Sequence, residues 1–131
     1  MAIEFATDAW IKALMVKLNE SEAYQSAARK WEGDFYFIVQ GDDGDKYLYL
    51  DLWHGEAREA MAIDDPAAHS PEFKLSAPVK TWQGVLSKKI DPIKGIMTRQ
   101  LKLSGPMVKV MKAPKAAIEL VNCAAEIDTS W

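Results

Sequence analysis

Phe35-Tyr36-Phe37-Ile38-Val39-Gln40, Gly41-Asp42-Asp43-Gly44-Asp45 and, after Lys46, Tyr47-Leu48-Tyr49-Leu50-Asp51-Leu52-Trp53 form the stretch that decides the fold. The two outer runs are rich in aromatic and β-branched residues, and the second alternates strictly in its leucines, which is a strand signature. The five residues between them have turn composition, and strands joined by so short a link pair antiparallel. A second short turn, His54-Gly55-Glu56, leads into a third strand over Ala57 to Ile63. An antiparallel meander therefore occupies the middle of the chain.

On the N-terminal side the period becomes helical. Thr7-Asp8 has the composition of a helix start, with Thr7 as N-cap. Trp10, Ile11, Leu14, Met15 and Leu18 then form one apolar stripe. Asn19-Glu20-Ser21-Glu22 interrupts it and caps a second helix that buries Ala23, Tyr24, Ala27, Ala28 and Trp31 and ends at Gly33. On the C-terminal side a two-proline loop from Asp64 to Pro71 precedes a short strand, Glu72 to Ser76. Pro78 opens a helix with Val79, Trp82, Val85 and Leu86 on its apolar face. Asp91-Pro92 opens another, carrying Ile93, Ile96 and Met97, before a fifth strand over Gln100 to Ser104. Met107, Val108, Val110 and Met111 follow, and Pro114 divides them from a last helical run. Two helices, a sheet, then helices with a last strand make the fold class α+β. With 131 residues, the expectation is a single domain over 1–131.

Composition narrows the function classes. Hydrophobic residues make up 49% and charged residues 27%, the balance of a globular protein, and no apolar run approaches the ~20 residues of a membrane span. The first residues lack a basic and long apolar leader, and the last four are not a peroxisomal address, so a cytoplasmic protein is expected. The one cysteine, Cys123, lies in a helical apolar setting and is expected to be a small buried side chain. The net charge of −3 hides an asymmetry: residues 1–73 balance at −9 and residues 74–115 at +9. A basic segment on an acidic chain suits an anionic head group or membrane surface, or is an ordinary solvated face.

Catalytic constellations are sparse. His54 and His69 lie in turn or loop compositions with no ligand partner three or four residues away, which excludes the usual zinc spacing. Asp42, Asp43 and Asp45 lack calcium-loop spacing, and Asp64-Asp65-Pro66 is turn composition. There is no nucleophile elbow, phosphate loop or dinucleotide fingerprint. The Lys88-Lys89 and Lys109/Lys112 pairs do not interleave with aromatics, so no nucleic-acid partner is expected. What stands out is Met97, Met107 and Met111 beside Trp82, Ile96 and Val110 on helices broken by prolines. Methionine adapts to irregular shapes, and short helices cover a sheet discontinuously, so this region suits either a plain core or a cavity for greasy ligands.

Lys88-Lys89-Ile90-Asp91-Pro92-Ile93-Lys94-Gly95-Ile96-Met97, followed by Gln100-Leu101-Lys102-Leu103-Ser104-Gly105, resembles the hallmark of sterol carrier protein type 2 domains. Phe73 to Trp82 is similar to that family's preceding strand and helix start, Tyr49-Leu50-Asp51-Leu52 resembles its second strand, and the resemblance runs from about Phe35 to Leu120. Ser87 and Arg99 stand where the family commonly has glycine. The resemblance implies a five-stranded antiparallel sheet covered on one face by helices, with an apolar tunnel between them for fatty acyl chains, acyl-coenzyme A, phospholipids or sterols. It implies binding and transfer of lipid without catalysis and without a cofactor. Mapped onto this chain, the expected wall is Phe35, Phe37 (or the opposite face with Tyr36), Leu75, Trp82, Leu86, Ile96, Met97, Met107 and Met111. The expected partners are a lipid or acyl ligand and, through the basic segment, an anionic membrane. Two other readings stay open: a protein-interaction or homodimerisation module using the same apolar surface, and an acyl thioesterase for which His69 and Asp65 are the candidates.

Overall fold

The computed structural model describes residues 2–131. The chain opens with β1 (Ile3–Glu4), then α1 (Asp8–Glu20) and α2 (Glu22–Ala27). The meander follows as β2 (Glu32–Gln40), β3 (Lys46–Trp53) and β4 (Glu56–Ile63), then β5 (Phe73–Pro78) and α3 (Val79–Leu86). α4 (Pro92–Met97), β6 (Lys102–Ser104), α5 (Met107–Met111), α6 (Pro114–Ala125) and β7 (Thr129–Ser130) complete it.

The expected helix starts are present with their caps. Thr7 accepts the Trp10 N–H, Ser21 accepts the Tyr24 N–H, and Asp91 accepts from Ile93 and Lys94 at the start of α4. Pro92 and Pro114 sit in the first turns of α4 and α6, where the absent N–H costs nothing. α2 is shorter than its apolar pattern suggests. The helix stops at Ala27, and Gly33 lies inside β2, where a Cβ would meet the Phe73 ring at 2.8 Å. The short pairing of β1 with β7 has no sequence signal beyond two residues at each end.

The five-stranded sheet has the order β4-β3-β2-β5-β6. It is mixed, which corrects the all-antiparallel expectation: β2 pairs parallel with β5, in register Phe37↔Leu75. The reason is the connection after β4. Residues 64–72 pass from one edge of the sheet across to the far side of β2, so β5 re-enters in the direction of β2. This loop also covers the face opposite the helices. The Tyr36 hydroxyl accepts the His69 N–H at 3.0 Å and shares its proton between the Pro66 and His69 carbonyls at 3.0 and 3.1 Å. The His69 ring stacks on Tyr49 at 4.1 Å.

The β3–β4 hairpin turns on His54 and Gly55, both at positive φ (51° and 83°), a two-residue link matched to strand twist. β4 is an edge strand, and its free amides are covered by α1. Asn19 brackets Ala57, accepting its N–H at 2.8 Å and donating to its carbonyl at 2.9 Å, while Asp8 accepts the Ala62 N–H at 2.9 Å. Strand alternation sends Phe35, Phe37 and Val39 of β2, with Leu48, Leu50 and Leu52 of β3, towards the helices. Tyr36, Ile38 and Tyr49 face the loop instead. Of the two strand parities left open by the sequence, the phenylalanine one meets the helical layer.

α1 and α3 lie on the sheet, whereas α6 packs mainly on helices α1 to α5. The last helix is thus suspended over the strands. Space between it and the sheet is what this arrangement produces.

Candidate functional site

Two apolar cavities lie under α6. The first is bounded by Tyr24 and Trp31, by Phe35 and Leu52 of the sheet, and by Val110, Ala113, Ala116, Ala117 and Leu120. The second is bounded by Phe5, Trp10 and Leu14, by Phe37, Val39 and Leu48, by Trp82, Val85 and Leu86, and by Leu120, Val121 and Ala124. Their volumes are about 50 and 40 Å³. Leu120 is common to both and stands between them. The sheet beneath is an aromatic floor, with Phe35 stacked on Phe37 at 5.2 Å and Trp82 edge-on to Phe37 at 6.0 Å.

The local sequence explains the space. α6 presents Ala116, Ala117 and Ala124 inward, preceded by Ala113. A methyl group where leucine would otherwise reach the strands leaves the layer unfilled. Pro114 also starts this helix afresh, so α5 and α6 cannot run as one rod along the sheet.

The walls offer almost no polar group. The three indole N–H donors are each taken by the protein: Trp10 by Thr129 Oγ1 at 3.0 Å, Trp31 by the Gly33 carbonyl at 3.1 Å and Trp82 by the Ile38 carbonyl at 3.2 Å. Among the described residues, no histidine, acid or base lines either cavity. What the arrangement can do is hold hydrocarbon, since removing apolar surface from water is favourable at roughly 25 cal/mol per Å².

The nine wall residues expected from sequence fall into three groups. Phe35 lines the first cavity, and Phe37, Trp82 and Leu86 line the second. Leu75, Ile96 and Met111 belong to the surrounding core without bordering either space. Met97 and Met107 do not form the wall: they are 69% and 45% exposed. Helix phase is the reason. In the short α4 and α5, Ile96 and Val110 take the inward positions, which turns the two methionines to solvent. The wall residues missed include Tyr24 and Trp31, the α1 pair Trp10 and Leu14, Phe5, Val39, Leu48, Leu52, Val85 and Val110, and α6 itself. The repeated alanines of α6 were the available signal.

The remaining chemistry-bearing residues lie elsewhere. His69 and Asp65, the thioesterase candidates, are in the loop on the opposite face, where Asp65 accepts the Ala67 N–H. Burial raises the pKa of the Cys123 thiol and so disfavours the reactive thiolate. Among the described residues no group of three His, Cys, Asp or Glu could hold a metal ion. None of the described helices is long and apolar enough to cross a membrane.

A basic cleft of about 330 Å³ adjoins the first cavity. Arg29, Lys30, Lys109 and Lys112 line it, and it shares Trp31 and Ala113 with the cavity wall. Lys109 is tethered there, 3.0 Å from Glu72 and over the rings of Trp31 and Phe73 at 5.3 and 5.7 Å.

A mixed five-stranded sheet thus lies under suspended helices, with almost wholly apolar cavities between them. Residues 11–117 match the SCP-2 sterol transfer family, and the chain belongs to that family. It is similar to a crystal structure of sterol carrier protein 2 at 36% identity and a TM-score of 0.85, covering 95% of this chain and 99% of that one. It is similar also to the solution structure of a conserved hypothetical protein of Thermus thermophilus, described as possibly a sterol carrier protein, at 35% identity and a TM-score of 0.83, over 98% and 93% of the two chains. The palmitated sterol carrier protein 2-like 2 of Aedes aegypti shares the fold at 14% identity and a TM-score of 0.55, over 82% and 93%. A search of curated proteins finds no match. Family and fold support lipid binding or transfer in general.

Proposed function

We propose that the chain is a single non-catalytic domain that binds the hydrocarbon part of a lipid or fatty acyl ligand under α6 and delivers it at anionic membranes. The observation that carries this reading is the pair of cavities walled by apolar side chains whose indole donors are already satisfied. Such a wall rewards chain length. Each methylene buried contributes ~0.8 kcal/mol, so a sixteen-carbon chain gains roughly 10 kcal/mol before ordering costs.

The cavities are smaller than the ~300 Å³ at which ligand sites usually begin, so a long chain must widen them. The helical layer is the part that can give way, because α6 rests on other helices and the strands are locked in a hydrogen-bonded ladder. The palmitated relative supports an acyl ligand, and the basic cleft supports contact with an anionic surface. Native mass spectrometry of gently prepared protein is expected to show co-purified acyl lipid, and the protein is expected to shield a fluorescent fatty acid from an aqueous quencher. Protein that carries no lipid and shields no probe refutes the reading.

A further inference from the structure

Tyr24 is the exception in the cavity wall. Trp10, Trp31, Trp82, Tyr36 and Tyr49 each give their polar atom a partner within the protein. Tyr24 is only 1% exposed, yet its hydroxyl makes no hydrogen bond among the described residues. Every fully enclosed side-chain nitrogen or oxygen among those residues has a partner. An unpartnered hydroxyl must therefore keep a sliver of surface, and Tyr24 itself lines the first cavity. A hydroxyl so nearly buried and with no protein partner has a hydrogen bond to offer a ligand atom in the adjoining cavity. Burial pushes the phenol pKa up, with the nearby Cys123 thiol adding to the shift, so the group stays protonated and acts as a donor.

The surroundings fix which atom it would meet. The basic cleft opens beside the same cavity through Trp31 and Ala113, and the second cavity continues beyond Leu120. An acyl chain lying along this line has its carbonyl or carboxylate oxygen at the cleft end and its tail towards Trp82. Resting on the lipid-binding reading above, we infer that Tyr24 is the polar anchor of the cavity. Its hydroxyl donates to the acyl oxygen of the ligand, orients the head towards Arg29, Lys30, Lys109 and Lys112, and discriminates acyl chains from plain hydrocarbon.

The test compares a pyrene-labelled fatty acid with the alkylpyrene of the same chain length, on wild type and Tyr24→Phe. The substitution should weaken the fatty acid about fivefold to tenfold, the worth of one net hydrogen bond, and leave the alkylpyrene within about twofold. Tyr24→Phe should also melt at or above the wild-type temperature, because it removes an unpaired hydroxyl; a lower melting temperature would mean that the hydroxyl is bonded within the protein, and would overturn the anchor. An equal loss for both probes, or no loss for the acid, overturns it too while leaving lipid binding intact. Wild type that binds neither probe removes the lipid reading and the anchor together.

Discussion

Leu120 partitions the space under α6, and removing it is the most direct perturbation of the proposed site. The two cavities measure about 50 and 40 Å³. An engineered apolar cavity of ~150 Å³ is enough to admit benzene, so neither space alone accepts even a small ring. A bound chain has to push the Leu120 side chain aside or lift the helix that carries it. Leu120→Ala deletes three carbons at the boundary and joins the two spaces. Three methylene equivalents correspond to ~2.4 kcal/mol of transfer free energy. Leu120 is only half-buried, so the loss in unfolding free energy should be about 1–2 kcal/mol, below the range for fully buried leucines. The same three carbons of room become available to the ligand. Affinity for a sixteen-carbon fatty acid should rise about tenfold, equivalent to ~1.4 kcal/mol, with a smaller gain for an eight-carbon acid that fits one side of the partition. Leu120→Trp should do the reverse, weakening the long acid about tenfold at nearly unchanged stability. Titration calorimetry across the chain-length series, with urea denaturation of each variant, measures both quantities. If Leu120→Ala destabilises as expected but leaves affinity flat across chain lengths, and Leu120→Trp binds as wild type does, the ligand does not lie under α6.

Three further outcomes follow from the geometry. Lys109→Gln with Lys112→Gln should slow lipid delivery to anionic vesicles by about 30-fold at low salt, from ~1 kcal/mol for each cation near such a surface, and flatten the salt dependence; unchanged rates on anionic vesicles would remove the electrostatic part. The Asp8 carboxyl is held below its ordinary value first by Lys12 at 2.6 Å and then by the Ala62 N–H, so its contribution to stability is present above about pH 4 and fades as pH falls through the lowered value. Asp8→Asn should accordingly lessen the drop in denaturation midpoint between pH 5 and about pH 2. Arg99 holds φ +64°, so Arg99→Gly should stabilise by up to about 1 kcal/mol, read from the urea midpoint.

Most elements were legible in the sequence because their signals are local. Thr7, Ser21 and Asp91 cap helices through hydrogen bonds to residues two or three positions on, and the meander follows from leucine alternation. Arg99, at a position where the resemblance to the family led us to expect glycine, does adopt the left-handed backbone that glycine favours. The parallel β2–β5 pairing was not legible, because it depends on which way residues 64–72 cross the sheet, and a strand carries no mark of its partner's direction. Met97 and Met107 misled for a related reason. In helices of five or six residues a single turn decides which side faces the core, and the apolar pattern is too short to fix the phase.

The wall residues that were missed show how such a site is made. Large side chains advertise a core, and Trp10, Trp82, Phe35 and Phe37 do build the floor and sides here. The space itself comes from what is small. Ala113, Ala116, Ala117 and Ala124 lie along the start and length of one helix, and a helix with an alanine face would ordinarily settle closer to its neighbour. α6 is kept from settling because α1 to α5 hold it at a distance and Pro114 separates it from α5. Unfilled apolar space costs stability, since its lining atoms lose dispersion partners on one side. A ligand chain that fills it recovers those contacts along with its own transfer free energy. Suspension of α6 over an apolar floor thus converts a packing deficit into affinity for hydrocarbon, and chain length is the variable on which that affinity should depend.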